Sequence, residues 1–169
     1  MPTSKGEVLE EVVREFFRQS GYFALRSVPF RAYGNDVTDL DVFLYRRVAA
    51  SHSRVFVDVK SKRSPKAFER VLWARGVQES LGFERAMVAT TDGSDAAFRF
   101  AADHSVSLIT RASLETTSVL KALEARLSLE ELIAQVREYE HQKSDGEWLA
   151  RFSDAKASLI GSPGFPAFN

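Results

Sequence analysis

Val55-Phe56-Val57-Asp58-Val59-Lys60-Ser61-Lys62-Arg63-Ser64, VFVDVKSKRS, opens as a β-branched and aromatic run, the composition of a strand buried in a sheet. It then carries an acid and a lysine two residues apart. Side chains at i and i+2 of a strand share a face, so Asp58 and Lys60 are expected side by side at the end of an otherwise apolar element.

Immediately upstream, VTDLDVFLYRR (37–47) alternates as a strand, and the polar AASHS (49–53) joins it to the opening stretch as a hairpin. Asp39 and Asp41 then share a face opposite Leu40. Pairing of the two strands brings Asp41 and Asp58 to one edge of the sheet, where the strands splay and a cation can enter. Two carboxylates with backbone carbonyls and water make a hard oxygen site, suited to Mg²⁺ or Mn²⁺ rather than zinc. The three histidines, His52, His104 and His141, are scattered and add nothing to it. A lysine beside such a metal can orient the attacking hydroxide and offset charge on a phosphoryl transition state.

The flanking periodicities place this hairpin in a larger sheet. GEVLEEVVREFFRQSGY predicts a helix with Leu9, Val12, Val13 and Phe16 on one face and Gly21 as its stop. YFALRSVPFRAYGND predicts an edge strand, marked by Pro29, and a turn at Gly34-Asn35-Asp36. After Lys60 the period changes to that of a helix, with Ser64 as cap, Pro65 in the first turn, and Phe68, Val71, Leu72 and Val77 on its buried face. RAMVATT, DAAFRFAADH and VSLIT then read as strand, helix and strand, which implies parallel neighbours and a right-handed crossover. From Ser113 onward the pattern is helical, with a capping box at Ser128-Leu129-Glu130-Glu131 and a shorter helix around Trp148 and Phe152.

The expected architecture is α/β, a mixed central sheet flanked by helices, with a C-terminal helical extension. Residues 1–111 form the core, 112–160 the extension and 161–169, GSPGFPAFN, an irregular tail.

Composition narrows the function classes. The chain of 169 residues has 23 basic and 23 acidic side chains, so a nucleic-acid partner must be met through a local patch or a bound ion rather than through net charge. The absence of cysteine removes disulfides, thiolate metal sites and thiol nucleophiles. No run approaches the ~18 apolar residues of a membrane span, and the N-terminus lacks an apolar signal core, so a cytoplasmic protein is expected. No Gly-rich phosphate loop follows a strand.

The constellation resembles the PD-(D/E)XK, or restriction-endonuclease-like, nuclease superfamily. It is most similar to members related to Holliday-junction resolvases and Mrr-type restriction enzymes. TDLDVFLY holds the first-motif acid at Asp41, VFVDVK holds the D-x-K at Asp58 and Lys60, and Glu10 in LEEVVREFF takes the place of the helical Glu. The resemblance spans roughly residues 6 to 111. Leu40-Asp41 replaces the literal Pro-Asp, and the loop between the motif strands is longer than in compact members.

This resemblance implies a metal-dependent nuclease, DNA rather than RNA, using Mg²⁺ or Mn²⁺. Asp41, Asp58 and the carbonyl of Val59 would hold the metal, Lys60 the attacking water, and Glu10 a second metal or water. Glu10 is favoured over Glu11 because Glu11 shares a face with Glu7, Arg14, Glu15 and Arg18, read as solvated, whereas Glu10 borders the apolar stripe. Asp39 is either a supporting acceptor or a solvated strand-end acid. Lys62, Arg63, Lys66 and Arg70 form either a phosphate-binding ridge or an ordinary solvated face. Gln78 stands where some relatives keep a glutamine near the site, or is a surface residue. A homodimer or larger assembly through the C-terminal helices is expected. The competing function is a catalytically silent module of the same fold that binds nucleic acid or a protein.

Overall fold

A computed structural model describes residues 5–49, 51–60, 66–91, 93–115, 127–143 and 147–161. The elements run α1 (Lys5–Gln19), β1 (Phe23–Ala32), β2 (Asn35–Val48), β3 (Ser51–Val59), α2 (Ala67–Leu81), β4 (Arg85–Thr90), α3 (Asp95–Asp103), β5 (Val106–Thr110), α4 (Arg111–Glu115), α5 (Leu129–Lys143) and α6 (Trp148–Gly161). The five strands form one sheet in sequence order, β1-β2-β3-β4-β5. β1–β2 and β2–β3 are antiparallel, while β3–β4 and β4–β5 are parallel. This is the mixed α/β sheet expected from the sequence, with the Pro29 strand at an edge.

The hairpins are tighter than expected. Tyr33 and Gly34 turn β1 into β2 with φ of 52° and 78°, a left-handed pair in which only the second position is a glycine, free of the Cβ penalty. Residues 51–53 of the expected loop belong to β3 instead, with Arg46 paired to Ser53, Arg47 to His52 and Val48 to Ser51. The long gap between the motif strands is thus extra strand, which prolongs the hairpin away from the acids.

Two apolar layers sandwich the sheet. Val55, Val57 and Val59 of β3 pack with Leu9, Val12, Val13 and Phe17 of α1, and Leu114 of α4 closes this layer. Phe56, on the opposite face, packs with Val71 and Ala74 of α2 and with Phe83, and Ala101 of α3 belongs to the same cluster. Side-chain alternation breaks once in β2, since Leu40 and Phe43 lie in the second layer whereas Val42 and Leu44 lie in the first. Asp41 sits at that break.

α2 departs from expectation at both its start and its face. It begins at Ala67, with Lys66 as a left-handed N-cap that makes no side-chain capping bond, and Ser64 and Pro65 lie outside the described residues. Its buried face is Ala67, Val71, Ala74 and Gln78, while Phe68 and Leu72 are exposed. Small alanines let the helix backbone approach the sheet closely, so the larger apolar residues fall outside the contact. Phe68 is instead paired with Phe100 of α3, ring centroids 4.7 Å apart.

Of the C-terminal helices, α6 packs on the β1 edge and α5 packs on α6. The capping box forms as the spacing predicts, with Ser128 N–H donating to Glu131 at 2.8 Å and Glu131 N–H donating to Ser128 Oγ at 3.2 Å. Helix α6 runs longer than expected and contributes Leu159 and Ile160 to the second core layer. Its Lys156 is only 6 % exposed and lies 5.2 Å from the Phe152 ring centroid. Burial, with Arg26 adding repulsion, pushes its amine down to about 8 despite the attraction of Asp39 and Glu130. Residues 162–169 of the expected tail lie outside the described residues.

Candidate active site

β2 and β3 stay paired from Val48↔Ser51 to Val42↔Val57, and beyond that point they separate. Asp41 fills the gap. Its Oδ2 accepts the Val59 N–H at 2.7 Å, replacing the backbone acceptor that a longer ladder would have supplied. On its other side β3 still follows β4, with Lys60 N–H donating to the Ala89 carbonyl at 2.9 Å. The N–H and C=O of one strand residue point to the same side, so the Val59 carbonyl faces the gap that Asp41 occupies.

Lys60 closes the arrangement. Its Nζ donates to Asp41 Oδ2 at 3.2 Å and lies 3.3 Å from Asp58 Oδ1. Asp58 follows the parity of Phe56 toward α2, where Arg70 grips it through both carboxylate oxygens, Nε to Oδ2 at 2.8 Å and Nη2 to Oδ1. The Arg70 guanidinium in turn rests on the Trp73 ring, 4.3 Å from its centroid. The Asp58 side chain is 1 % exposed, whereas those of Arg70, Lys60 and Asp41 are 26 %, 29 % and 21 % exposed. The acid is buried at the base of a charged cluster whose other members reach solvent.

Glu10 borders this cluster from α1. Burial raises its carboxyl above the ordinary value, against the opposing pull of Arg26, and both Asp41 and Lys60 act on it electrostatically. Burial likewise raises Asp41, and the Asp58 charge adds to the rise, while the Val59 N–H and Lys60 oppose it. Glu10 itself is held by Arg26 of β1, Nη2 to Oε2 at 3.0 Å.

The neighbouring acid overturns one expectation. Glu11 is 5 % exposed and Glu15 is fully buried, so this face of α1 is not solvated. Arg26, itself 2 % exposed, supplies the reason by bonding Glu10, Glu11 and Glu130 at once, and Arg14 and Arg18 cover Glu11 and Glu15. Arg26 is a site neighbour that the sequence reading missed. A signal was present, because it interrupts an apolar strand as Asp58 does.

The other expected residues divide. Lys62 and Arg63 lie outside the described residues. Lys66 points along the surface to Glu69, Nζ to Oε1 at 2.9 Å. Gln78 is buried with its side chain between Arg75 and the Glu84 carbonyl, where it ties α2 to β4, away from the carboxylates. Asp39 is exposed.

The donor set suits a hard divalent cation, with Asp41, Asp58 and the Val59 carbonyl converging and Asp41 Oδ1 free of hydrogen bonds among the described residues. Among those residues no three His, Cys, Asp or Glu side chains cluster as a metal group. No helix among the described residues is long and apolar enough to cross a membrane.

Comparison with curated proteins gives no significant match. The restriction endonuclease family model Mrr_cat matches residues 2–117, which covers every strand and both motif acids. With its ordered mixed sheet and its D-x-K strand end facing Asp41, the chain belongs to the Mrr-type restriction endonuclease family, within the PD-(D/E)XK superfamily.

Proposed function

We propose that this chain is a metal-dependent endonuclease that hydrolyses phosphodiester bonds, in DNA rather than RNA, with Mg²⁺ or Mn²⁺ held by Asp41, Asp58 and the Val59 carbonyl. The observation that carries the reading is the convergence of Asp41 and Asp58 on a single amine, Lys60, where β2 and β3 part. A cation bound there would supply Lewis acidity toward the scissile phosphate and the attacking water. Lys60 donates a hydrogen bond that fixes the water's oxygen and offsets the charge that builds on the phosphoryl group. Glu10, whose carboxyl burial raises, takes the proton that the water sheds or holds a second water at the rim.

The core of this activity is residues 1–111, with 112–160 as a helical extension. Exposed Leu132, Tyr139 and Trp148 on that extension support self-association, and a cytoplasmic location accords with the substrate. A second reading has its own support. Lys60 and Arg70 neutralise Asp41 and Asp58, as a silent nucleic-acid-binding platform would require. Supercoiled, linear and branched DNA and RNA are incubated in Mg²⁺, Mn²⁺ or EDTA, beside Asp58→Ala and Lys60→Ala. Cleavage that survives EDTA or both substitutions sinks the mechanism, and folded protein that never cleaves selects the silent module.

A further inference from the structure

Arg70 occupies Asp58 in a way that bears on how a metal could reach it. Both oxygens of Asp58 are engaged, Oδ2 by Arg70 Nε at 2.8 Å and Oδ1 by Arg70 Nη2 together with Lys60. A fork-to-fork pair of this kind uses the outward lobes that a cation would need. Charge gives the same result. Asp41 and Asp58 carry two negative charges and Lys60 and Arg70 two positive ones, so these four side chains together offer a dication no net charge.

Arg70 also has somewhere to go. It lies in the first turn of α2, its side chain is 26 % exposed, and the Trp73 face beneath it permits an in-plane pivot toward solvent without loss of the stacking contact. Guanidinium matches a phosphate as well as it matches a carboxylate, and the phosphodiester substrate brings the anion.

We propose that Arg70 is exchanged between Asp58 and the substrate backbone. In the free protein it closes Asp58. An arriving phosphate draws it away, Asp58 is opened to the cation, and the two ligands bind cooperatively. Arg70 is thus a positioning residue that makes metal loading depend on nucleic acid. The inference rests on the nuclease reading, and linkage requires the effect to be reciprocal.

The test measures binding as well as cleavage. Mn²⁺ is titrated into the free protein and followed by the loss of the aquo-ion EPR signal, for the wild type, Arg70→Met and Arg70→Lys. Arg70→Met is expected to bind Mn²⁺ about tenfold more tightly than the wild type, within the usual range of site coupling. In parallel, anisotropy of a fluorescein-labelled phosphorothioate duplex gives its affinity with Mn²⁺ or EDTA. The wild type is expected to gain at least about fivefold from Mn²⁺, and Arg70→Met to gain little.

Equal or weaker Mn²⁺ binding by folded Arg70→Met overturns the exchange. If that variant does not fold, the wild-type measurement decides, since duplex affinity unaffected by Mn²⁺ overturns it equally. Should the wild type cleave DNA yet show no coupling, the exchange is wrong and the nuclease reading stands. Failure to bind or cleave any nucleic acid removes both.

Discussion

Asp41 accepts the backbone N–H of Val59 at 2.7 Å, across the point where β2 and β3 cease to pair. The carboxylate completes the sheet and, in the proposed reaction, binds the metal. Those two tasks place opposite demands on its charge, because the N–H needs only an oxygen while burial disfavours the anion.

Asp41→Asn and Asp41→Ala therefore separate the tasks. Asn keeps the acceptor and removes the buried charge. The folded carboxyl has a raised pKa, so folding takes up protons and the stability tied to this group is present below the unfolded value of 3.8 and lost as pH rises through the folded value. At pH 7 Asp41→Asn is expected to gain about 1 kcal/mol, ~3 °C in Tm, a gain that vanishes near pH 3, while cleavage is abolished. Asp41→Ala orphans the Val59 N–H and is expected to lose about 1–3 kcal/mol. Thermal melts across pH check both.

Asp58→Ala strands Arg70 beside a buried void, a loss of about 2 kcal/mol. The double variant Asp58→Ala/Arg70→Met should recover more than half of it, because both ends of the pair are then gone. Urea unfolding of the four proteins closes the cycle. Equal stability of the single and double variants would show that the guanidinium finds water instead.

Lys60→Met tests chemistry with little structural penalty. Its side chain is the most exposed of the cluster, at 29 %, and the buried Asp58 keeps Arg70 as a partner when the amine is gone, so stability should fall by no more than about 1 kcal/mol. Cleavage should fall about 10²–10³-fold, measured in single-turnover assays at saturating DNA.

Gln78→Ala is expected to lower stability by about 1 kcal/mol and leave the cleavage rate unaltered, since its side chain serves Arg75 and the Glu84 carbonyl. A cleavage defect larger than the stability loss explains would place Gln78 in the site after all.

Lys156→Met should stabilise the protein in a pH-dependent way. The amine is depressed to about 8 from 10.5, so the unfolded chain binds more protons between those values and stability rises with pH there. Met fills the volume without the charge. Its advantage is expected to be a few kcal/mol at pH 7, to shrink through pH 8–10.5 and then to disappear, as read from chemical denaturation at each pH.

The motif acids were legible because each breaks a two-residue alternation, and alternation is local. Asp58 and Lys60 could be assigned to one end of β3 from their spacing, and Asp41 to the same edge of the sheet once β2 and β3 are paired. Glu10 was separable from Glu11 as nearer the site, yet the burial of Glu11 was hidden, because its partner Arg26 lies 15 residues on and the third acid of that knot, Glu130, 104 residues beyond Arg26. An α2 face built on Ala67, Ala74 and Gln78 was equally hidden, since apolar size is a poor guide where a helix must lie close to a sheet. Arg70 could be seen as a cation near the motif, but its grip on Asp58 depends on how the chain returns after Lys60.

The Arg26 knot makes α5 part of the wall behind the proposed site. Glu130 of α5 supplies a carboxylate to an arginine that also holds Glu10 and Glu11, although the family match ends at residue 117. A chain cut at that boundary would leave Arg26 short of an acid and admit water beneath α1. Activity lost on truncation would then report a loosened Glu10 as much as a missing appendage.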